Sequence, residues 1–476
     1  MSGSPNFVVI MTDDQGAWAR GRTMPELITP TLDRLGETGR EFTRFFCASP
    51  VCSPARASLL TGRMPSAHGV HDWIRCENDG IDTRGVHYLE HRRTLPELLA
   101  EAGYHCAHSG KWHLGDAREA APGFDPRMWF AHLHGGGPYY GAPVSENGEV
   151  RTEPGYITDA ISDHAVEHLT ALAAGDEPFY LQVNYTAPHT PWDAEHHPER
   201  LRALYADCTF DSLEREPQHP WFNEGHDELA AAMRDPRPAL VGFCASLTAV
   251  DEGVERLVAV LDEAGVREET YVIFLSDNGF SCGQHGIWGK GNGTTPLNVW
   301  EDSIRVPFLV NRPGTVEPAL DDEPTSATSL FETVLELSGV PAPEDRLRAG
   351  GSFADRLRAE GPVEPRAAAP IVIFDEYGGT RMIRTDGYKY VQRYSGPDEL
   401  YDLESDPRER TSLIDDPASA AVLERMRAAL ERWFAEHTAP ELGGYALPVS
   451  GEGQNAPLWA EVPGQDRFAR REPVAR

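Results

Sequence analysis

Two acidic pairs stand far apart in this chain, Asp13-Asp14 and Asp277-Asn278, and each follows a short apolar run, residues 7–11 and 271–275. Both runs read as buried strands, and loops leaving the carboxyl ends of parallel strands converge on one sheet edge, where ligands bind. Four side-chain oxygen donors carrying up to three negative charges suit a hard cation such as calcium or magnesium. Either pair alone commonly forms no more than a turn. Cys52 and Arg56 are four residues apart, close to one helical turn. In isolation they describe a small apolar residue entering a helix and an arginine in a surface ion pair. Lys111 and His113 alternate across Trp112, so an extended backbone turns both to one side. His189 stands between Pro188 and Pro191, and Lys290 between Gly289 and Gly291.

Longer motifs surround these residues. Cys52-Ser53-Pro54-Ala55-Arg56, running on through Leu59-Leu60-Thr61-Gly62-Arg63, resembles the signature of type I sulfatases of the alkaline phosphatase-like superfamily. In that family a Cys-x-Pro-x-Arg cysteine is oxidised to formylglycine. Residues 110–115 are similar to the family's Gly-Lys-Trp-His-Leu-Gly motif, 187–191 to its Ala-Pro-His-x-Pro loop, and 286–291 to its Gly-Leu-Trp-Gly-Lys-Gly segment. The pattern Glu-Leu-Tyr-Asp-Leu-x-x-Asp-Pro appears from Glu399 to Pro407. The resemblance runs in family order from Asp13 to about Pro407.

It implies a sulfuric-ester hydrolase acting on a carbohydrate or aryl sulfate. Hydration of the aldehyde made from Cys52 would give two hydroxyls, one to attack sulfur and one to expel sulfate as the carbonyl returns. The resemblance assigns Asp13, Asp14, Cys52, Asp277 and Asn278 to a divalent ion, with calcium preferred and magnesium the alternative. It assigns catalytic roles to Cys52, Arg56, Lys111, His113, His189 and Lys290. Arg56 would hold the diol, His113 would take a proton as sulfate leaves, and His189 or Lys290 would protonate the departing alcohol. Sulfuryl transfer builds charge that fixed cations in a dry site stabilise better than mobile water does. A formylglycine-dependent phosphonate monoester or phosphodiester hydrolase is the alternative within the fold, and a catalytically silent binding protein the alternative outside enzymes. Relatives hydrolysing phosphonates tend towards His after the second-strand Asp and Gln after the first-strand Asp; this chain has Asn278 and Asp14. A maturation enzyme that makes formylglycine is an implied partner.

Composition narrows the setting. The chain has 476 residues with a formal net charge of −32, which argues against nucleic-acid binding and requires local focusing of positive charge around an anionic substrate. No apolar run approaches the ~20 residues a membrane helix needs. No signal peptide is read at the start, and the seven cysteines show no Cys-x-x-Cys pairing, so a reducing cytoplasm is expected.

To bring such residues together, the first three-quarters alternate strand and helix patterns, predicting an α/β domain over 1–365 with a mixed, largely parallel sheet flanked by helices. Thr29-Pro30 reads as a helix start closed by Gly39, Thr94 to Glu97 as a capping box, and 245–264 as an amphipathic helix. A connector is expected over 359–370. A small antiparallel subdomain is expected over 366–440, with strands at 371–374, 381–384, 388–392 and from 400, a tight turn at Asp386-Gly387, and a closing helix at 418–437. Residues 441–476 read as an irregular tail. The organic part of the substrate would meet loops 68–75, 129–140 and 192–223, with Trp73, Tyr139, Tyr140, Trp192 and Trp221 as stacking candidates or as core.

Overall fold

The computed structural model describes residues 3–358, 369–375, 379–385, 387–443, 447–460 and 466–470. Strand Asn6–Thr12 lies at the centre of a mixed sheet, ten-stranded among the described residues, and is buried along its whole length. Its side chains alternate between two cores: Val8 and Ile10 pack on one face, Phe7, Val9 and Met11 on the other. That explains the unbroken apolar run in the sequence, since a strand covered on both faces has no polar side. Helices Ile157–Ala173 and Pro236–Glu263 share the first core. Helices Cys52–Thr61, Leu95–Glu101 and Ser329–Ser338 share the second.

Four neighbouring strands position the chemistry. Asn6–Thr12 pairs in parallel with Thr270–Ser276 on one side and Phe179–Asn184 on the other. Phe179–Asn184 in turn pairs in parallel with His105–Lys111. Their carboxyl ends therefore share one edge. Outside them the sheet is mixed, with Phe308–Asn311 and Ala142–Glu146 running antiparallel to their inner neighbours.

The described C-terminal strands Ile371–Asp375, Thr380–Thr385, Tyr388–Arg393 and Glu399–Asp402 form an antiparallel sheet covered by helix Ala420–His437. Thr385 lies opposite Tyr388, as the hairpin reading requires. Asp386 itself, and residues 359–368 of the expected connector, lie outside the described residues. Residues 447–460 and 466–470 are irregular apart from isolated bridges, yet Gln454 is fully buried between Trp73 and Arg75.

Two helix starts differ from expectation. Thr29 makes no side-chain cap; Asp251, from across the core, accepts from Thr31 N at 3.1 Å and Leu32 N at 2.7 Å instead. A tertiary partner has taken over the orphan donors. The helix expected over 245–264 begins at Pro236. Gly242 and Gly253 obscure its pattern; a Cβ on Gly242 would sit 2.1 Å from Trp192 O, so the glycine marks a close backbone approach. The Thr94 capping box is present, with Thr94 N donating to Glu97 Oε2 at 2.8 Å.

Candidate active site

Asp13-Asp14 and Asp277-Asn278 leave adjacent parallel strands and meet at once. Asp277 N donates to Thr12 O at 3.1 Å, and Asp14 N to Asp277 Oδ1 at 3.3 Å. Ligand atoms of Asp13, Asp14, Cys52 and Asp277 all lie within 4.8 Å of one another, and all four residues are buried. Asn278 donates Nδ2 to Asp14 Oδ1 at 2.8 Å, while its buried Oδ1 has no hydrogen-bond partner among the described residues. An unpaired buried amide oxygen costs about 1–3 kcal/mol, and a hard cation among three carboxylates would satisfy it. The residues present fit such an ion.

Cys52 is the first residue of Cys52–Thr61 and is 3% exposed. Val51 holds the extended backbone that a helix entry needs, Ala55 N donates to Val51 O at 3.1 Å, and Gly62 ends the helix at φ 66°. All ten helix residues are buried, so the entry to the helix is fixed from every side. Cys52 Sγ lies 3.1 Å from Asp13 Oδ1 and 2.8 Å from Lys290 Nζ. Lys290 Nζ also reaches Asp14 Oδ1 at 2.5 Å, and Lys111 Nζ is ion-paired with Asp13. Arg56 reaches Asp277 rather than Cys52: Nε donates to Asp277 Oδ2 at 2.9 Å and Nη1 to Lys111 O at 3.0 Å. The arginine thus fixes a candidate ion ligand and the backbone that carries Lys111. Three cations face three carboxylates at the floor of the site.

His113 is not in extended backbone. The strand ends at Lys111, and His113 adopts φ 58°, a left-handed turn. That turn, rather than strand alternation, brings His113 to the cleft. Its Nε2 lies 2.9 Å from Ile74 O, so Nε2 donates to the carbonyl and Nδ1 is left without a partner. His189 donates Nδ1 to Thr190 O at 2.8 Å and points Nε2 towards Asp14 Oδ2, 3.8 Å away. The loop carrying His189 is clamped by Tyr139, whose hydroxyl donates to His189 O at 2.7 Å, and by Trp192, whose Nε1 donates to Pro188 O at 2.7 Å.

Burial and neighbouring charge set the protonation states. Burial first, then Asp13, pushes the Cys52 thiol well up, so it is a neutral thiol and a poor nucleophile as encoded. Burial opposes ionisation of Asp13, but Lys111, His189, Arg56 and Lys290 together hold its carboxyl well below the usual range. Asp277, raised by burial and by Asp13, stands at about 6. Burial also works against the Lys290 ammonium, yet Asp14, Cys52, Asp13 and Asp277 together raise it well above an ordinary lysine. His113 is pushed well down, by burial first and then by Lys111 and Arg56, and is neutral.

Above this floor opens a cleft of about 510 Å³, lined by Asp14, Cys52, His113, His189 and Lys290 below and by Trp73, Asn78, Asp79 and residues 225–229 above. Of the expected stacking residues, Trp73 lines it. Tyr139 and Trp192 are core residues that hold the His189 loop, and Trp221 stacks on Trp300 at 6.2 Å. Tyr140 is 38% exposed beside Tyr156 and does not line the cleft. Sequence reading missed the contributions of Gly135 and Gly136, which lie against His113 and His189, and of the tail residues Gly451 and Glu452 in the cleft wall. The Gly-rich run 135–137 was a usable signal; the tail offered none.

Comparisons with known proteins show the family and the fold. The sequence profile of the Sulfatase family matches residues 5–340, and that of the C-terminal region of N-sulphoglucosamine sulphohydrolase matches 283–436. The chain is 29% identical over 454 residues to the ulvan-active sulfatase of Formosa agariphila, covering 91% of this chain and 81% of the relative. It superposes on the crystal structure of Ps i-CgsB in complex with k-i-k-neocarrahexaose with a TM-score of 0.71 at 26% identity, over 92% of this chain and 94% of that one. The phosphonate monoester hydrolase of Agrobacterium radiobacter shares the fold, with a TM-score of 0.70 at 22% identity over 91% and 96% of the two chains.

Proposed function

The chain belongs to the sulfatase family and is a sulfuric-ester hydrolase, and from that premise we propose how its own residues divide the reaction. The substrate is a carbohydrate or aryl sulfate ester. The observation that carries the reading is Cys52 at the first residue of a wholly buried helix, its Sγ within 3.1 Å of both Asp13 and Lys290, protonated, and open to the cleft. Such a thiol is badly suited to attack as encoded. Formylglycine at this position supplies a hydrated aldehyde as nucleophile and regenerates the carbonyl on releasing sulfate. A calcium ion, held by Asp13, Asp14, Asp277, Asn278 and modified residue 52, would polarise the sulfate oxygens.

The remaining work belongs to the encoded side chains. Lys111 and Lys290 neutralise Asp13 and Asp14, and Lys290, which lines the cleft, presents positive charge to the sulfate. Arg56 fixes Asp277 from behind. Asp277, grouped with Asp13, Asp14 and Cys52 at the floor of the site, is the carboxylate we assign to accept a proton from the attacking hydroxyl. His113, neutral with a free Nδ1, is the base for the second hydroxyl. Lys290 is committed to Asp14 and Cys52, and His189, which lines the cleft, is the residue we assign to protonate the departing alcohol. The full oxygen donor set with Asn278, in place of a histidine, favours sulfate over phosphonate esters.

The test is one preparation of known formylglycine content, assayed with an activated aryl sulfate, the matching phosphonate monoester and the matching phosphate diester, with metal analysis alongside. A higher kcat/KM for the sulfate, formylglycine at position 52 and near-stoichiometric calcium are expected. Preference for a phosphorus ester would promote the alternative, and full activity with every Cys52 still a thiol would end the mechanism.

A further inference from the structure

The walls of the cleft carry a charge pattern unlike its floor. Their ionisable residues are Asp79, His226, Asp227, Glu228 and Glu452; among the described residues the lining holds no arginine, and its one lysine is Lys290, bound to Asp14. Two of the carboxylates are held in place. Asp79 Oδ2 accepts from Cys76 N at 3.0 Å, and Glu228 accepts from the hydroxyl of Thr190, the residue after His189. Asp227 is exposed at the start of helix Asp227–Arg234 and enters no ion pair among the described residues. Arg75, adjacent to this wall, directs its guanidinium to Asp79 O at 2.8 Å and Asn455 Oδ1 at 3.4 Å.

A sulfate group entering this cleft finds cations at the floor, but a second anion on the same substrate meets walls that carry four carboxylates and, of basic side chains, His226 alone among the described residues. Like-charge contacts of this kind reject a ligand more effectively than neutral surface does. A cationic group in the same cleft would instead be paired by Asp227 and Glu228. Resting on the sulfatase reading above, we propose that Asp79, Asp227 and Glu228 select the leaving alcohol by charge. The substrate is a sulfate monoester whose organic part bears a protonated amine or other cation, and esters carrying a second anionic group are excluded.

The test uses matured enzyme and three aryl sulfates of equal phenol acidity, differing only at the end of a side chain: trimethylammonium, hydroxyl or carboxylate. At low ionic strength kcat/KM should fall in that order, by about tenfold or more from first to last. In the Asp227→Asn/Glu228→Gln double variant, shown by its melting curve to be folded, the spread should shrink to about twofold. A flat or reversed order overturns the proposal. So does an order that survives in the double variant, which would assign it to the net charge of the whole chain. Cleavage of none of the three esters would overturn the sulfatase reading itself, and this inference with it.

Discussion

Cys52 shows how a residue's surroundings decide its chemistry. Its thiol is buried beside Asp13, where ionisation is opposed both by burial and by the neighbouring carboxylate. A serine there keeps one hydroxyl and the same neighbours but lacks the second hydroxyl that expels sulfate. We therefore expect Cys52→Ala to abolish turnover, and Cys52→Ser to release at most one equivalent of alcohol while retaining sulfate. Intact-protein mass spectrometry after incubation with an aryl sulfate reads this as an added sulfate on the Ser variant. Sustained turnover by Cys52→Ser would show that the second hydroxyl is dispensable. At this scale the sequence was largely legible, because identities such as Asp13, Cys52, His113 and Lys290 are the chemistry. Directions of side chains were less so: Arg56 meets Asp277 instead of Cys52, and His113 arrives through a left-handed turn. Neither feature is written in residue spacing.

At the scale of elements, four parallel strands bring Asp13, Lys111, Asp277 and the His189 loop to one edge, and apolar runs made those strands easy to read. The loops that aim the histidines were harder, since their contacts are tertiary. Gly135 and Gly136 are the sharpest case. A Cβ at Gly135 would lie 2.5 Å from His113 Nε2, and one at Gly136 would lie 2.8 Å from His189 Cε1. Neither glycine has a left-handed φ, so space rather than backbone conformation requires them. Gly136→Ala should push the His189 ring aside and lower kcat/KM by about 10–100-fold, since small misplacements of a catalytic group are costly. Its melting temperature should move little. Unchanged kcat/KM would mean that His189 need not occupy its present place during the reaction.

For the whole molecule, the part least visible in the sequence is the tail. Residues after 440 show no periodicity, so nothing local announces where they go. In the fold, Gln454 N donates to Trp73 O at 2.8 Å and Arg75 N to Gln454 O at 3.1 Å, so the tail lies alongside the segment centred on Ile74. Ile74 in turn receives Nε2 of His113 on its carbonyl and donates its N–H to Ser53 Oγ at 3.1 Å, next to Cys52. The tail therefore backs a short chain of contacts that touches both the nucleophile's helix and the base. The Gln454 side chain anchors it: Oε1 accepts from His71 N at 2.9 Å, while Nε2 donates to Gly69 O at 3.2 Å and Ala456 O at 3.1 Å. Gln454→Ala would leave those three buried backbone groups unpaired, a loss of about 2–4 kcal/mol. We expect a melting midpoint lowered by several degrees and, at temperatures where the variant is fully folded, a reduced kcat with formylglycine content unchanged. A variant that melts early but turns over normally would limit the tail to stability; one with both properties intact would show that Ile74 holds His113 and Ser53 without it.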